Sequence, residues 1–430
     1  MRRICVVLLS VGLLAGCASS GRSEQVAVLR DNVADLRERM NELQEQVAEL
    51  TAHREVAACR LPNQVDADRL SAGFPISPER IPASGNVNVA VLFVDFQEAP
   101  ARQGGTATDD EQTLTHGMFV HLVSGAETYL EAMSYGTLDF TFRPLYRWLR
   151  MPHSLSELYA DSDSNLGNAI SSFMLIDDAI DLADPDFDFE GIDSVVVIAT
   201  PRADSIQRGA ALLSPDWHFY ADDQTIGNAT VLGSGPQAGS TIAHELGHNL
   251  GLPDLYDTHV KLDSEGHLSD DKSRFVGVFG LMGGGANEKP TRFEMLAWSR
   301  WQLGWLRDTQ VACITTFPTS VQLTPLPTPG GIKAVVVPLT ETTALVVESR
   351  RKLGYDSRLS KEGALVYKID TSVRTGKGPI VVGSVSKPPD DSALLGPGEA
   401  WNWDGYSVTV KEVTPEGDLV EITQITVLKQ

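Results

Sequence analysis

The pattern of apolar and polar positions near the start of the chain is that of a coiled coil. Apolar side chains recur at alternating spacings of three and four, with Leu at every second position. The members of this seam are Val26, Leu29, Val33, Leu36, Met40, Leu43, Val47 and Leu50. Such a narrow heptad seam between polar flanks, without Pro or Gly, predicts self-association of two or three copies. The alternative is a single amphipathic helix packed on the rest of the protein.

The middle of the chain alternates strand-like and helix-like segments. Short apolar runs at 89–96 and 195–200 predict buried strands, whereas longer segments such as 115–133 predict helices. From about residue 307 onward, short runs rich in Val and Thr are divided by turns, as in sheet domains. We therefore expect an α+β protein, with a mixed domain at 86–306 and a smaller β-rich, sandwich-like domain at 307–430.

The first residues predict export and lipid attachment. Two arginines precede an apolar stretch at 4–14, which is too short to span a bilayer and is typical of a signal peptide. The stretch ends in Leu-Ala-Gly-Cys, a pattern that fits bacterial lipoprotein processing at Cys17. An ordinary secretory signal with an incidental cysteine is the alternative. The prediction is a lipoprotein signal peptide at 1–16 and a membrane-anchored protein outside the cytoplasm, at the cell surface or in the periplasm.

The chain between the anchor and the mixed domain divides into two parts. Residues 17–58 are expected to form the lipid anchor and the coiled-coil stalk. Residues 59–85 are rich in Pro and Ser towards their end and are expected to act as a linker.

The most informative chemistry lies at residues 244–254, which read His-Glu-Leu-Gly-His-Asn-Leu-Gly-Leu-Pro-Asp. On a helix, His244 and His248 share one face because they are four apart, and two such imidazoles form half of a zinc site. Glu245 is placed to deprotonate a water held at the metal. A following glycine lets the helix end and the chain turn back, so Asp254 is the candidate third ligand. A fourth position open to water is typical of catalytic zinc.

A glycine-rich segment at 276–285 adds a second signal. A Met in a tight glycine turn beneath the metal is typical of metzincins, which makes Met282 the candidate Met-turn residue. The alternative is a core Met beside a loop. For the third ligand, the competing carboxylates are Asp257, Asp263 and Glu265.

These motifs resemble the immune inhibitor A family of secreted bacterial metallopeptidases. Beyond the zinc motif, the similar segments are VAVLFVDF at 89–96, YLEAMSYGTL at 129–138, GLMGG at 280–284, Leu-Gly-Trp at 303–305, VESRRKLGYD at 347–356 and EGALVYKID at 362–370. The resemblance covers roughly residues 75–375. It implies a metzincin-like zinc endopeptidase domain followed by a β-rich domain. His244, His248 and Asp254 would be zinc ligands, Glu245 the general base and Met282 the Met-turn residue.

The chain departs from this pattern at one position and carries an unusual acidic segment. Some metzincins place a Tyr two residues after the Met to assist the transition state, but this position is Gly284 here. Tyr256 and His218 are the candidates for this role, and the sequence does not choose between them. Calcium loops are common in the family. The segment 184–193 alternates acidic residues but lacks the glycines of an EF-hand-like loop, so it is a candidate calcium site or a solvated acidic turn.

Cysteine usage fits a protein outside the cytoplasm. Four cysteines are encoded. Cys5 leaves with the signal peptide and Cys17 carries the lipid, so Cys59 and Cys313 remain as an even pair, which predicts a disulfide. Alternatively, Cys59 could ligate the zinc as an inhibitory switch, which would leave Cys313 free.

Composition limits the class of partner. The 35 basic residues against 57 acidic residues give a net charge of −22, which argues against nucleic-acid binding. The sequence therefore predicts a zinc-dependent endopeptidase that hydrolyses peptide bonds in extracytoplasmic proteins. One alternative is an inactive protease-fold surface lipoprotein that acts as a binding module, and another is zinc hydrolysis of a non-protein amide. Glu245 favours an enzyme, because a binding module needs no base.

Overall fold

The computed structural model describes residues 20–65, 69–101, 111–158, 165–203, 206, 209–234, 238–259, 270–283 and 293–425. The chain divides into two compact units, with the boundary between Arg54 and Glu55. The predicted signal peptide at 1–16 and the lipidation site Cys17 lie outside the described residues. In the part of the chain that is described, no helix combines the length and apolar character needed to cross a bilayer.

The described residues of the N-terminal unit lie in a single long helix. Helix α1 spans Ser20–Val56, which is 37 residues. Its described seam side chains are exposed, with Leu36 at 63% and Leu50 at 72%. A single helix cannot bury an apolar stripe of this length against itself. The predicted helix is therefore present, and its pairing into a coiled coil stays a prediction.

The second unit contains six helices and sixteen strands among the described residues. The helices are α2 (Glu111–Leu122), α3 (Ser124–Met133), α4 (Leu155–Leu158), α5 (Asn165–Ala183), α6 (Ala238–Asn249) and α7 (Ala297–Gln302). The strands of its first half are β1 (Gly85–Asp95), β2 (Leu138–Arg150), β3 (Ser194–Ala199), β4 (Ala210–Leu213), β5 (Phe219–Ala221), β6 (Gln224–Ile226) and β7 (Asn228–Gly233). The strands of its second half are β8 (Val311–Cys313), β9 (Thr319–Leu323), β10 (Ala334–Pro338), β11 (Thr343–Arg350), β12 (Gly363–Asp370), β13 (Ile380–Val382), β14 (Ala400–Trp403), β15 (Tyr406–Thr414) and β16 (Gly417–Gln424).

The first sheet has the strand order β2-β1-β3-β7-β4. Four strands are parallel, and β4 runs antiparallel to β7 at one edge. Strands β1 and β3 are buried on both faces, which explains why their sequences are continuous apolar runs. Strand β7 is interior to this sheet, and β4 and β2 are its two edges. Strand β4 has only four residues and no alternating pattern, so its sequence carries little signal.

The second half of the unit forms two further sheets, β13-β12-β11-β10-β8 and β14-β15-β16-β9. They face each other across an apolar core that includes Val347 of β11 and Val420 of β16. The opposite face of β11, with Val346, shares a core with Leu246 of α6 and Met282. The fold is therefore α+β with several sheets. Strand β11 is thus buried on both faces and contacts both halves of the unit. The regions before and after residue 306 belong to one compact unit. The predicted domain boundary at 306 stays a prediction.

Part of the predicted linker at 59–85 packs in the core of the second unit, and its role as a linker stays a prediction. Ala72 is fully buried and Phe74 nearly so. The indole Nε1 of Trp298 on α7 donates to the carbonyl of Ala72 at 2.7 Å. Gln302, one turn later, donates to the carbonyls on either side of this position. A Pro- and Ser-rich composition cannot reveal such hydrogen bonds, because their donors lie more than 200 positions away in sequence.

Cys59 and Cys313 form a disulfide between the short 3₁₀ turn after α1 and the end of β8. Arg60 donates to the carboxylate of Asp308 at 2.6 Å, next to this bond. The indole of Trp301 donates to the same carboxylate at 2.8 Å. The disulfide and the ion pair together attach the start of the second unit to the strand that opens its second half.

Candidate metal centre

The helix that carries the two histidines ends in a Schellman motif. The N–H of Leu252 donates to the carbonyl of Gly247 at 2.9 Å, and that of Gly251 to the carbonyl of His248 at 2.8 Å. Gly251 has φ of +106°, and a Cβ there would lie 2.5 Å from Ile76. Only glycine fits this position, and the resulting turn brings the chain back along the face that carries the imidazoles.

Backbone carbonyls orient both imidazoles. Nδ1 of His244 lies 3.1 Å from the carbonyl oxygen of Leu281, and Nδ1 of His248 lies 2.8 Å from that of Leu252. A carbonyl oxygen can only accept, so each Nδ1 carries the proton and donates it. The Nε2 atom of each ring therefore faces the inside of the site, as in most histidines that bind metals.

Asp254 completes a cluster of three candidate metal ligands with His244 and His248. Its Oδ1 lies 3.1 Å from Nε2 of His244 and 3.3 Å from Nε2 of His248. The three ligand atoms all lie within 4.8 Å of one another. Two nitrogen lone pairs and a carboxylate oxygen repel one another unless a cation lies between them, either a metal ion or a proton on an Nε2 atom. Two imidazoles and one carboxylate are a donor set that zinc binds in catalytic sites, so these residues fit a zinc ion.

The electrostatics of the group follow from its burial. Burial alone would lower the pKa of His248, but the charge and hydrogen bond of Asp254 raise it to about 9. Burial acts to raise the pKa of Asp254, yet the two histidines, above all the charge of His248, hold it far below its usual range. The carboxylate is thus ionised and attracts positive charge to the point where the three ligand atoms meet.

Glu245 lies beside this group and against the edge strand β4. Its side chain is buried, and burial raises the pKa of its carboxyl group, partly offset by the neighbouring His244 and His248. The N–H of Ala211 on β4 donates to the carboxylate. A Cβ on Gly209 would lie 2.2 Å from Oε1 of Glu245, so the absence of a side chain at 209 leaves room for this carboxylate.

Met282 packs directly beneath the helix. A Cβ on Gly247 would lie 2.7 Å from the sulfur of Met282, so the glycine inside the motif allows this close approach. The carbonyl of Met282 accepts from the N–H of Leu255 at 2.9 Å. The preceding carbonyl, that of Leu281, is the one that orients His244. The turn around Met282 therefore supports both the first histidine and the loop that carries Asp254.

The two candidate transition-state stabilisers lie in different surroundings. The ring of Tyr256 is 5.9 Å from that of His244, and Nζ of Lys272 lies 4.3 Å from the centre of the Tyr256 ring. His218 lies after β4, where its Nε2 is 3.2 Å from Oγ of Ser214. The ring of Tyr256 thus lies beside that of the candidate ligand His244, whereas His218 is hydrogen-bonded to Ser214.

Two of the other acidic candidates have ion-pair partners of their own. Asp257 pairs with Arg274 at 2.6 Å, which turns its carboxylate to a cation other than the metal. Asp263 and Glu265 lie outside the described residues. In the segment 184–193, Asp186 pairs with Arg147 at 2.7 Å. Within the described ranges, His244, His248 and Asp254 make up the one group of three or more His, Cys, Asp or Glu residues that could hold a metal ion.

Sequence reasoning missed two contributors to the site, Gly209 and Ala211. They lie more than thirty positions before Glu245, in a short segment without a recognisable motif. Comparison of the chain with models of known protein families gives no match, and comparison with curated proteins gives none either. The case for a function therefore rests on the geometry of the metal centre.

Proposed function

We propose that the protein is a zinc-dependent endopeptidase, with His244, His248 and Asp254 as the metal ligands and Glu245 as the general base. The observation that carries the proposal is the convergence of two Nε2 atoms and one carboxylate oxygen within 4.8 Å, next to a buried glutamate. A structural zinc site would have a fourth protein ligand and no need of a base. Three ligands beside a carboxylate support a catalytic site.

The role of each residue in the reaction follows from the position of its side chain. When bound, zinc supplies a Lewis acid that polarises the scissile carbonyl and makes water more acidic. Glu245 accepts the proton of the attacking water and delivers it to the leaving amine. The hydrogen bond from the N–H of Ala211 holds the carboxylate in place for both transfers. Met282 and the carbonyls of Leu252 and Leu281 keep the ligands oriented.

The edge strand β4 supports a peptide as the substrate. Strand β4 lies at the end of its sheet and is paired with β7 on one side. Its residue Ala211 contacts Glu245, so the strand passes beside the base. An extended peptide can add to such an edge through main-chain hydrogen bonds, which places a peptide bond across the site. A small non-protein amide would not need this edge.

Turnover and metal dependence test the proposal directly. The purified full chain should cleave an unfolded protein such as casein, lose activity to a chelator and regain it with zinc. Glu245→Gln should keep zinc but lose turnover by about a thousandfold or more, because only proton transfer is removed. Glu416→Gln, on an exposed turn, is the matched control and should behave as the parent. Cleavage by Glu245→Gln at a rate near that of the parent would contradict the mechanism. The absence of any cleavage by a zinc-loaded parent would favour the binding-module alternative.

We further propose that the stalk anchors and oligomerises the enzyme outside the cytoplasm. The exposed apolar seam on α1 supports burial against two or three copies of itself. Leu36→Asp with Leu43→Asp should give monomers in sedimentation experiments. Ala34→Asp with Asn41→Asp, at exposed positions that do not flank the seam, should leave the oligomer intact. Cys17→Ser should release the protein from the membrane fraction. Monomeric parent protein at high concentration would rule the stalk assembly out.

A further inference from the structure

The loop that carries Asp254 is hydrogen-bonded to the connection between β12 and β13, residues 371–379. The N–H of Asp254 donates to Oγ1 of Thr375 at 2.8 Å. In return, the N–H of Gly376 donates to the carbonyl of Asp254 at 3.0 Å. Both backbone polar groups of the candidate third ligand are thus bonded to a segment more than 115 residues further along the chain.

A second contact continues this pairing along the same loop. The N–H of Thr258 donates to the carbonyl of Gly376 at 3.2 Å. Gly376 has φ of +69°, and a Cβ there would lie 2.3 Å from the Oγ1 and Cγ2 atoms of Thr258. The side chain of Thr258 lies directly against this position, and the positive φ favours glycine there as well. The loop from 254 to 258 is therefore held at both of its ends.

The segment just after this connection supports the other side of the metal centre. The N–H of Val382 donates to the carbonyl of Phe275 at 2.8 Å, and the N–H of Val278 to that of Pro389 at 3.3 Å. A Cβ on Gly277 would lie 1.7 Å from the carbonyl oxygen of Pro389, so this contact also depends on a glycine. The glycine-rich segment that leads to Met282 is thereby attached to the C-terminal half.

We propose that the β12–β13 connection is a working part of the metal centre, with Thr375 as a positioning residue for Asp254. This inference rests on the proposed zinc site. The position of a carboxylate ligand depends on the position of its backbone. Contacts that orient metal ligands typically contribute 10- to 100-fold to metal affinity. The C-terminal half is then required to assemble the third ligand, rather than being a detachable module that only grips substrate.

Zinc affinity of the full chain tests this role. The metal-free protein is titrated with zinc against a chromogenic chelator. Thr375→Val keeps the shape of the side chain but removes the acceptor, so we expect zinc affinity to fall about tenfold. Thr375→Ser restores the hydroxyl and should bind within about twofold of the parent. Thr371→Val is the matched control, because the Thr371 hydroxyl donates to the carbonyl of Thr342 and not to the metal loop.

Two further measurements separate positioning from general stability. The unfolding free energy of the metal-free protein reports the general loss of stability in each variant, and zinc affinity should fall in Thr375→Val but not in Thr371→Val. At saturating zinc, kcat of Thr375→Val should return towards that of the parent. Parent-like zinc affinity in Thr375→Val, or an equal loss in Thr371→Val, would overturn the inference. A parent that binds no zinc at all would overturn the proposed function instead, so the two failures are distinguishable.

Discussion

Replacement of Gly209 by alanine should displace the proposed general base without touching a metal ligand. The added Cβ would lie 2.2 Å from Oε1 of Glu245 and 2.6 Å from both Cδ and Cγ. Since carbon and oxygen atoms do not approach closer than about 3 Å without strong repulsion, the carboxylate must retreat by about 1 Å. It is buried and bonded to the N–H of Ala211, so it has little room to yield.

The expected cost follows from this displacement. A misplacement of 1 Å in a catalytic group typically lowers the rate by about a hundredfold, which corresponds to about 2.7 kcal/mol of activation free energy. Glu245 contributes nothing to metal binding in the proposed site, so zinc affinity should stay within about twofold of the parent. The loss should fall on kcat rather than KM, because the proposed substrate contacts along β4 remain.

The assay is steady-state hydrolysis of a quenched fluorescent peptide, with zinc content measured on the same samples. Gly117→Ala is the matched control, since a Cβ at this exposed position on α2 would meet nothing within 4 Å. It should leave kcat and zinc content unchanged. A Gly209→Ala variant with the kcat of the parent would refute the placement of Glu245 against β4. A variant that has lost zinc would show that the strain is transmitted to the ligands.

Two further predictions concern the third ligand and the disulfide. Asp254→Ala should weaken zinc affinity, measured by chelator competition, by more than about 100-fold, which exceeds the usual effect of outer contacts. Asp257→Ala should lose stability, because its ion pair with Arg274 is removed, but should keep zinc. Unchanged zinc affinity in Asp254→Ala would remove Asp254 from the ligand set. Replacing Cys59 and Cys313 by Ser should lower the unfolding free energy by about 2–4 kcal/mol, because the bond closes a loop over a separation of 254 residues; an unchanged denaturant midpoint would contradict this.

Local chemistry of the metal centre can be predicted from the sequence because it depends on short spacings. His244, Glu245, His248 and Asp254 lie within eleven consecutive residues, and helical periodicity followed by a glycine turn brings them together. The 3.5-residue apolar repeat likewise predicts the helix α1, and the long apolar runs predict β1 and β3. Each of these features follows from backbone geometry over fewer than forty residues, without knowledge of the rest of the chain.

The groups that orient these site residues could be identified only from the tertiary structure. The carbonyl of Leu281 that orients His244, the N–H of Ala211 that holds Glu245, and the hydroxyl of Thr375 that binds the backbone of Asp254 are all remote in sequence. The buried positions within the predicted linker were missed for the same reason, since carbonyls there accept hydrogen bonds from side chains of α7. A backbone carbonyl or N–H is present in every residue, so composition and spacing cannot distinguish the one that a distant side chain will contact. Only the folded packing of sheets against helix α6 selects it.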